Sequence, residues 1–177
     1  MDIQQNYFEF LDLPVGFSVD LSELSKRYRE LQKALHPDRF AHLSDQEQRM
    51  SVQYTAYLNE AVATLRSPLS RAQYLLLLKG IDTFSETSVK LEPSFLFEQM
   101  SLRESLEEIG ASVDKEKQLD RLSRDVESQI DSLEACFAKL YAQSDEASLQ
   151  SAAVIVRKLQ FMIKLLKEIE QAQDELD

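Results

Sequence analysis

Apolar residues in the first eighty positions recur every three or four residues, the spacing that places side chains on one face of an α-helix. Two such stripes are present, and a short connection separates them. They consist of Leu21, Leu24, Tyr28, Leu31 and Leu35, and then of Met50, Tyr54, Tyr57, Ala61 and Leu65. Two amphipathic helices with a short connection pack antiparallel, so the pattern predicts a helical hairpin.

Short helices are predicted on both sides of this hairpin. An apolar segment over 7–13 ends at Pro14, and a further helix begins at Ser67-Pro68 and ends near Gly80. The hairpin helices themselves begin with capping-box patterns, in which a polar side chain satisfies backbone N–H groups of the first turn. These patterns are Asp20 with Glu23 and Ser44 with Glu47.

Three further helices are predicted in the second half of the chain. They cover residues 93 to about 108, about 114 to 142, and about 145 to 172, and Gly110 follows the first. Short loops between helices of this kind favour an antiparallel three-helix bundle. The chain has only three glycines and no long alternating segments, so we expect an all-α fold.

The distribution of charge predicts a domain boundary near residue 80. Residues 1–80 contain nine lysines or arginines and ten acidic residues, whereas residues 81–177 contain eleven against twenty-one. We therefore expect one domain over 1–80, a polar linker over 81–92 and the bundle over 93–177. The acidic second half argues against a nucleic-acid partner, because phosphates would repel it.

Several site types are not expected from the composition. Cys136 is the single cysteine, so no internal disulfide and no protein-only cysteine cluster can form, and no metal or other cofactor is predicted. The first residues resemble neither a signal nor a transit peptide, and the longest apolar run, 74–78, is too short for a bilayer. We expect a cytoplasmic protein without a membrane partner.

The most informative segment is His36-Pro37-Asp38, at the turn of the hairpin. Pro37 cannot continue the first helix, because it lacks an N–H group and its ring clashes with the preceding turn. The segment is consistent with a plain connector, since Pro-Asp is ordinary turn chemistry. The basic residues on the preceding helix favour a functional site instead; they are Lys26, Arg27, Arg29 and Lys33.

Residues 5–79 resemble a J-domain, the module by which J-proteins act on seventy-kilodalton heat-shock chaperones. Beyond the turn and the basic strip, the resemblance includes Asn59-Glu60-Ala61, Leu65, Pro68, Arg71-Ala72 and Tyr74-Leu75. It implies that one surface docks on the chaperone and favours ATP hydrolysis there. The residues that it assigns to this surface are His36, Pro37, Asp38, Lys26, Arg27, Arg29, Lys33 and Arg39.

The first helix of the bundle carries more apolar residues than one buried face needs. Phe95, Leu102, Leu106 and Ile109 form the expected core stripe, and a second group lies roughly opposite. That second group is Leu96, Phe97 and Met100, with Glu104, Glu107 and Glu108 beyond it. On the last helix, Val154, Phe161 and Leu165 also lie off the expected core stripe. That stripe consists of Leu149, Ala152, Val156, Leu159, Ile163 and Leu166. Such groups form a partner site or pack against the first domain or another copy.

Over its full length the chain resembles the HscB family of iron–sulfur-assembly co-chaperones. The residues that carry this likeness are 95–100, 102–104 and 156–161. The resemblance implies an adaptor that binds the cluster scaffold IscU and delivers it to the chaperone HscA. The scaffold-binding positions that it implies are Leu96, Phe97, Met100, Glu104, Glu108 and Phe161. Ser101 departs from the family pattern, which often has an acid there.

Two other functions remain open from the residues alone. A hydrolase would have to use His36 and Asp38, yet no Gly-rich phosphate loop and no nucleophile beside a base is apparent, so no catalytic residue is assigned. The other possibility is a J-protein or helical adaptor for a different client. The scaffold function requires that the patch around Leu96 be exposed.

Overall fold

A computed structural model describes residues 5–40, 42, 44–84, 89–110 and 112–176 of the chain. Within these residues the chain forms seven α-helices and one 3₁₀ turn, and the predicted all-α fold is confirmed. The helices are α1 (Tyr7–Phe10), α2 (Leu21–Leu35), α3 (Asp45–Arg66), α4 (Pro68–Leu78), α5 (Pro93–Gly110), α6 (Lys115–Gln143) and α7 (Glu146–Asp174), and the 3₁₀ turn is Pro37–Arg39.

The chain divides into two compact units, the first ending at Leu75 and the second beginning at Leu76. Both residues lie within α4. The start of the predicted linker 81–92 belongs to the second unit, where Thr83 is buried. The Gln160 side chain of α7 donates a hydrogen bond of 3.4 Å to the Thr83 carbonyl oxygen. Residues 85–88 of that linker lie outside the described part.

The first unit is built around the antiparallel pair of α2 and α3. Leu24 of α2 and Leu65 of α3 are wholly buried, as the two apolar stripes predict, and so is Leu58, which the predicted stripe did not include. Leu21 and Met50, the first residues of the two stripes, are instead 50 and 42% exposed, because they lie near the starts of the helices. Helix α1 packs on α3, and the ring of Tyr7 stacks on the ring of Tyr74 with their centroids 4.3 Å apart. Burial of these aromatic and aliphatic side chains supplies most of the stability of such a unit.

The helix starts follow the capping signals in the sequence. Ser44 and Glu47 form a complete capping box, in which each side chain accepts from the backbone N–H of the other residue. The Asp20 carboxylate accepts from the N–H groups of Ser22 and Glu23, at 2.8 and 3.1 Å. After α4, Gly80 adopts φ +79°, a conformation that glycine adopts without steric cost.

The second unit is organised around the long antiparallel pair of α6 and α7. Val126 and Phe137 of α6 and Val156 and Leu159 of α7 are wholly buried. Only Ser144 and Asp145 separate the two helices, and Ser144 takes the left-handed conformation, φ 57°. The Asp145 carboxylate caps α7 by accepting from the N–H of Ser148 at 2.9 Å.

Helix α5 runs parallel to α7, because contacts later in α5 meet residues later in α7. The rings of Phe95 and Phe161 meet edge to face, 6.1 Å apart. Further along α5, the Gln99 amide nitrogen lies 3.0 Å from the sulfur of Met162, and Arg103 pairs with Glu168 at 3.4 Å. This up-down-up order confirms the antiparallel three-helix bundle.

Several expectations about the bundle core were inaccurate. Ile163 and Leu166 of the expected α7 stripe are only half-buried. Leu165 was placed off the core stripe but is wholly buried, because α5 covers the side of α7 that carries it. On α5, Leu102 and Leu106 are only half-buried, whereas Phe95, Gln99 and Ile109 are buried. A helix that packs against two other helices buries more of its circumference than one apolar stripe covers. The buried residues therefore differ from those that a single stripe predicts.

Candidate functional site

The turn between α2 and α3 has a fixed base. The carbonyl oxygen of Leu35, the last residue of α2, accepts a hydrogen bond of 2.7 Å from the buried Ser51 hydroxyl of α3 and a longer one, 3.4 Å, from Thr55. These bonds satisfy a carbonyl that the end of the helix leaves without an intrahelical partner. This contact is not predictable from the hydrophobic pattern, since Ser51 and Thr55 lie beside the apolar stripe of α3 rather than in it.

The side chains at the tip of the turn are exposed. His36 is 54% exposed and Asp38 is 90% exposed, with the histidine Nδ1 lying 3.5 Å from the Asp38 carboxylate. The backbone N–H of Asp38 donates to the same Nδ1 at 3.3 Å. Pro37 begins the 3₁₀ turn, and its side chain lies outside the described part. This geometry offers polar groups to a partner and requires none of them for the core.

The basic strip on α2 is partly neutralised by acidic residues of its own helix and by Asp12, which precedes it. Arg27 pairs with Asp12, Glu23 and Glu30, at 2.8, 3.1 and 3.6 Å, and Lys26 pairs with Glu23 at 3.3 Å. These ion pairs reduce the attraction of both cations for a partner. The pairs of Arg27 with Glu23 and Glu30 follow helical spacing, but the pair of this predicted docking residue with Asp12 is not apparent from the sequence.

The remaining cations of the strip are available to a partner. Arg29 and Lys33 are exposed, and neither has an ion-pair partner among the residues that the structure describes. Arg39 is also exposed, and its guanidinium donates a hydrogen bond of 3.3 Å to the Lys33 carbonyl oxygen. Lys33, His36 and Arg39 line one shallow depression with Gln32. The free positive charge is therefore concentrated next to the turn.

The second candidate surface lies on α5. Leu96, Phe97 and Met100 are 41, 68 and 57% exposed, while the neighbouring residues Phe95 and Gln99 are buried. The exposure required for the scaffold function is therefore present. Glu104 and Glu108 are exposed one and two turns further along the same helix, and so is Ser101.

Phe161 of α7 contacts α5 at Phe95, since the two rings meet edge to face. Phe161 is half-buried, and the guanidinium of Arg157 lies 5.1 Å from the centre of its ring. Phe161 therefore lies where α7 meets the start of α5, the helix that carries the other predicted apolar residues. The sequence did not identify Gln99, which is 2% exposed and contacts Met162 of α7.

Comparison with known proteins identifies the family. The chain is 42% identical to the co-chaperone protein HscB homolog of Shewanella loihica over 171 residues, which cover 97% of this chain and 99% of that protein. The chain belongs to the HscB family of co-chaperones. A family model described as the HSCB C-terminal oligomerisation domain matches residues 91–170.

Solved structures agree with this assignment to the HscB family. The chaperone HscB from Vibrio cholerae superposes with a TM-score of 0.87 at 40% identity, over 98% of this chain and all of that one. The human co-chaperone HscB also gives a TM-score of 0.87, at 28% identity, over 98% of this chain and 84% of that one. The predicted fold, a J-domain followed by a helical bundle, is confirmed.

Membership of the HscB family decides between an adaptor and an enzyme. The related proteins are named co-chaperones, so the chain is a co-chaperone and the hydrolase alternative is wrong. In the described residues, no helix is both long enough and apolar enough to cross a membrane.

Proposed function

We propose that this co-chaperone holds an IscU-like iron–sulfur scaffold on its bundle and delivers it to an HscA-like ATPase chaperone through its J-domain. Its J-domain stimulates ATP hydrolysis by that chaperone and so assists the maturation of iron–sulfur proteins in the cytoplasm. In this proposal the J-domain comprises residues 1–80. A linker follows over 81–92, and the scaffold-binding bundle comprises residues 93–177. The cluster is cargo of the scaffold, and the co-chaperone needs no cofactor of its own.

The exposed apolar group on α5 carries this proposal. Leu96, Phe97 and Met100 remain exposed although Phe95 and Gln99 of the same helix are buried. Adjacent exposed apolar side chains with a charged rim are typical of protein interfaces, in which a few apolar anchors dominate the binding energy. Glu104 and Glu108 supply that rim, and Phe161 extends the apolar surface onto α7.

The proposed chaperone surface consists of the turn and the free cations beside it. His36, Asp38, Arg29, Lys33 and Arg39 are exposed, so they contribute to a partner rather than to the core. Exposed cations mainly raise the rate of association with an acidic surface and orient it. The J-domain stimulates the ATPase only if it binds one conformation of the chaperone better than another.

Two separate surfaces on one chain explain why such an adaptor needs no catalytic group. When the scaffold and the chaperone bind the same molecule, their encounter becomes intramolecular and their effective concentration rises. The co-chaperone then works by proximity and by selecting a chaperone conformation. The ATPase itself supplies the chemistry.

The decisive experiment is a titration of purified apo IscU-type scaffold protein into the triple variant Leu96→Ala, Phe97→Ala, Met100→Ala. We expect a large loss of affinity with little change in the melting temperature, because these side chains are exposed. A matched control changes Met50 and Val52 of α3, 42 and 57% exposed, to alanine and should bind normally.

Normal binding by the folded triple variant would show that the patch is not the client site. If the unmodified protein does not bind this scaffold but binds another client at the patch, the alternative of a J-protein for a different client is correct. Sedimentation of the unmodified protein tests the third possibility, that the patch joins two copies of the chain.

A further inference from the structure

A shallow depression lies on the second unit beside the proposed scaffold patch. Its lining comes from Phe84, Arg157, Gln160, Phe161 and Lys164. Phe84 is 57% exposed and lies at the start of the predicted linker, and the other four residues belong to α7. We refer to Phe84, Arg157, Phe161 and Lys164 as the cationic groove.

The arginine of this groove is held in one orientation. Its guanidinium lies over the Phe161 ring and donates a hydrogen bond of 2.7 Å to the Gln160 side-chain oxygen. The amide nitrogen of Gln160 in turn donates to the Thr83 carbonyl oxygen. One edge of the planar guanidinium is thus occupied and its other donors remain available. An arginine held in this way loses little side-chain entropy when it binds a carboxylate.

The charge of the groove differs from that of the domain around it. Residues 81–177 carry eleven basic and twenty-one acidic residues. Among the residues that the structure describes, neither Arg157 nor Lys164 forms an ion pair, although acidic side chains are abundant. The two lie seven residues apart and therefore on the same side of α7, about 10 Å from each other along the helix axis.

We infer that the cationic groove is a second part of the scaffold surface, which takes a segment of the scaffold with acidic and apolar side chains close together. The carboxylate binds Arg157 or Lys164, and the apolar side chain packs on Phe84 and Phe161. This inference rests on the proposed function. The groove shares Phe161 with the proposed scaffold-binding residues, and Phe161 contacts Phe95 of α5.

The position of the groove also gives the combined surface a polarity. Helices α5 and α7 are parallel, so the cations of 157–164 lie near the start of α5, where Phe95 meets Phe161. Glu104 and Glu108 lie further along α5, beyond the level at which Arg103 meets Glu168. The groove therefore adds cations at one end of the combined surface, where the exposed Glu98 of α5 also lies, and Glu104 and Glu108 lie at the other end. A scaffold with the opposite polarity binds in one orientation, because the reversed pose places like charges together.

The test compares two double variants with the same change in net charge. Arg157→Gln with Lys164→Gln removes the cations of the groove, whereas Lys117→Gln with Lys139→Gln removes two exposed cations of α6. Apo IscU-type scaffold protein is titrated into each by calorimetry. We expect binding about tenfold weaker for the groove variant and within about twofold for the control. The groove variant should also show a smaller loss of affinity with added salt.

A conservative change separates the guanidinium from its charge. Arg157→Lys keeps the positive charge but removes the planar fork, so we expect an intermediate loss of affinity. Arg157 also contacts Phe161, and a melt of each variant shows whether folding is affected. If the double variant melts early, Lys164→Gln alone tests the same inference, because Lys164 is exposed.

The possible results distinguish this inference from the function on which it rests. If the triple α5 variant loses binding while the groove variant binds like its control, the proposed function stands and the groove inference is wrong. If the unmodified protein does not bind the scaffold, both are wrong. If the groove variant changes only the self-association of the protein in sedimentation, the groove joins copies of this chain and the inference is again wrong.

Discussion

The hydroxyl of Ser51 donates a hydrogen bond of 2.7 Å to the carbonyl oxygen of Leu35, sixteen residues earlier in the chain. Ser51 is buried in α3, and Leu35 is the last residue of α2 before the exposed turn. The second helix of the hairpin thus holds the end of the first. The tip of the turn can remain exposed because its base is held by the helix pair.

Removal of this bond should destabilise the J-domain. Ser51→Ala leaves the Leu35 carbonyl with only the longer bond from Thr55, so we expect a loss of about 1–2 kcal/mol in the free energy of unfolding. Urea denaturation of the variant and of the unmodified protein measures this change in the free energy of unfolding. Ser132→Ala is the control, because the Ser132 hydroxyl bonds within the exposed face of α6. Equal effects of the two changes would contradict the proposed role of Ser51.

The turn should be needed for activity and not for folding. His36 is 54% exposed, so His36→Gln should change stability by no more than about 0.5 kcal/mol. We expect it to abolish the stimulation of an HscA-type ATPase while scaffold binding is retained. His42→Gln is the matched control, since His42 is the other histidine and is also exposed. A folded His36→Gln protein that stimulates fully would refute the proposed docking role.

The free cations of the basic strip should govern association with the chaperone. We expect Arg29→Glu with Lys33→Glu to slow association, because both side chains are exposed and unpaired within the described residues. Salt should weaken binding of the unmodified protein, since exposed charges are screened beyond about 8–10 Å near physiological ionic strength. Association rates measured by surface plasmon resonance test both effects.

The control for this pair changes Arg49 and Arg66 of α3, both exposed, to glutamate. It alters the net charge by the same amount but leaves the strip on α2 intact. If this control slows association as much as the reversal of Arg29 and Lys33, the effect belongs to total charge and not to the strip.

The cap of α7 should make the stability of the bundle depend on pH. Hydrogen bonds from the hydroxyl and backbone N–H of Ser148 hold the pKa of the Asp145 carboxyl below its usual value of 3.8. A lowered folded-state pKa adds stability above the unfolded-state value, and this is lost as pH falls through the folded-state pKa. Asp145→Asn can still cap the helix but cannot ionise, so it should melt earlier than the unmodified protein at neutral pH.

That difference in melting temperature should shrink as the pH falls below about 3.8, the usual carboxyl pKa, and vanish once the pH is below the lowered folded-state pKa. Asp114 precedes α6 but makes no capping hydrogen bond through its side chain, so Asp114→Asn serves as the control. A pH-independent difference for Asp145→Asn would contradict this account. Thermal melts followed by circular dichroism at several pH values provide the comparison.

Local signals in the sequence predicted most of the helix boundaries. Ser44 and Glu47 predict the start of α3 because the capping box involves only residues three apart. The turn at Pro37 follows in the same way from the geometry of proline. The exposure of Leu96, Phe97 and Met100 was also predictable, since they lie opposite Phe95 on one helix.

Contacts between distant parts of the chain were not predictable from these signals. Leu165 is buried because α5 covers that side of α7, and periodicity in α7 alone contains no information about α5. The ion pair of Arg27 with Asp12 joins residues from different segments in the same way. Gln99 is a polar residue in the core, where hydrophobic patterning does not place one.

The parallel packing of α5 on α7 has a consequence for synthesis of the protein on the ribosome. Phe95 and Gln99 find their neighbours Phe161 and Met162 more than sixty residues later, whereas α6 and α7 are joined by only two residues. The local pair can form quickly, but α5 must wait for α7 to be translated before its buried face is covered. A nascent chain therefore presents the proposed client surface in an organised form only after α7 has emerged.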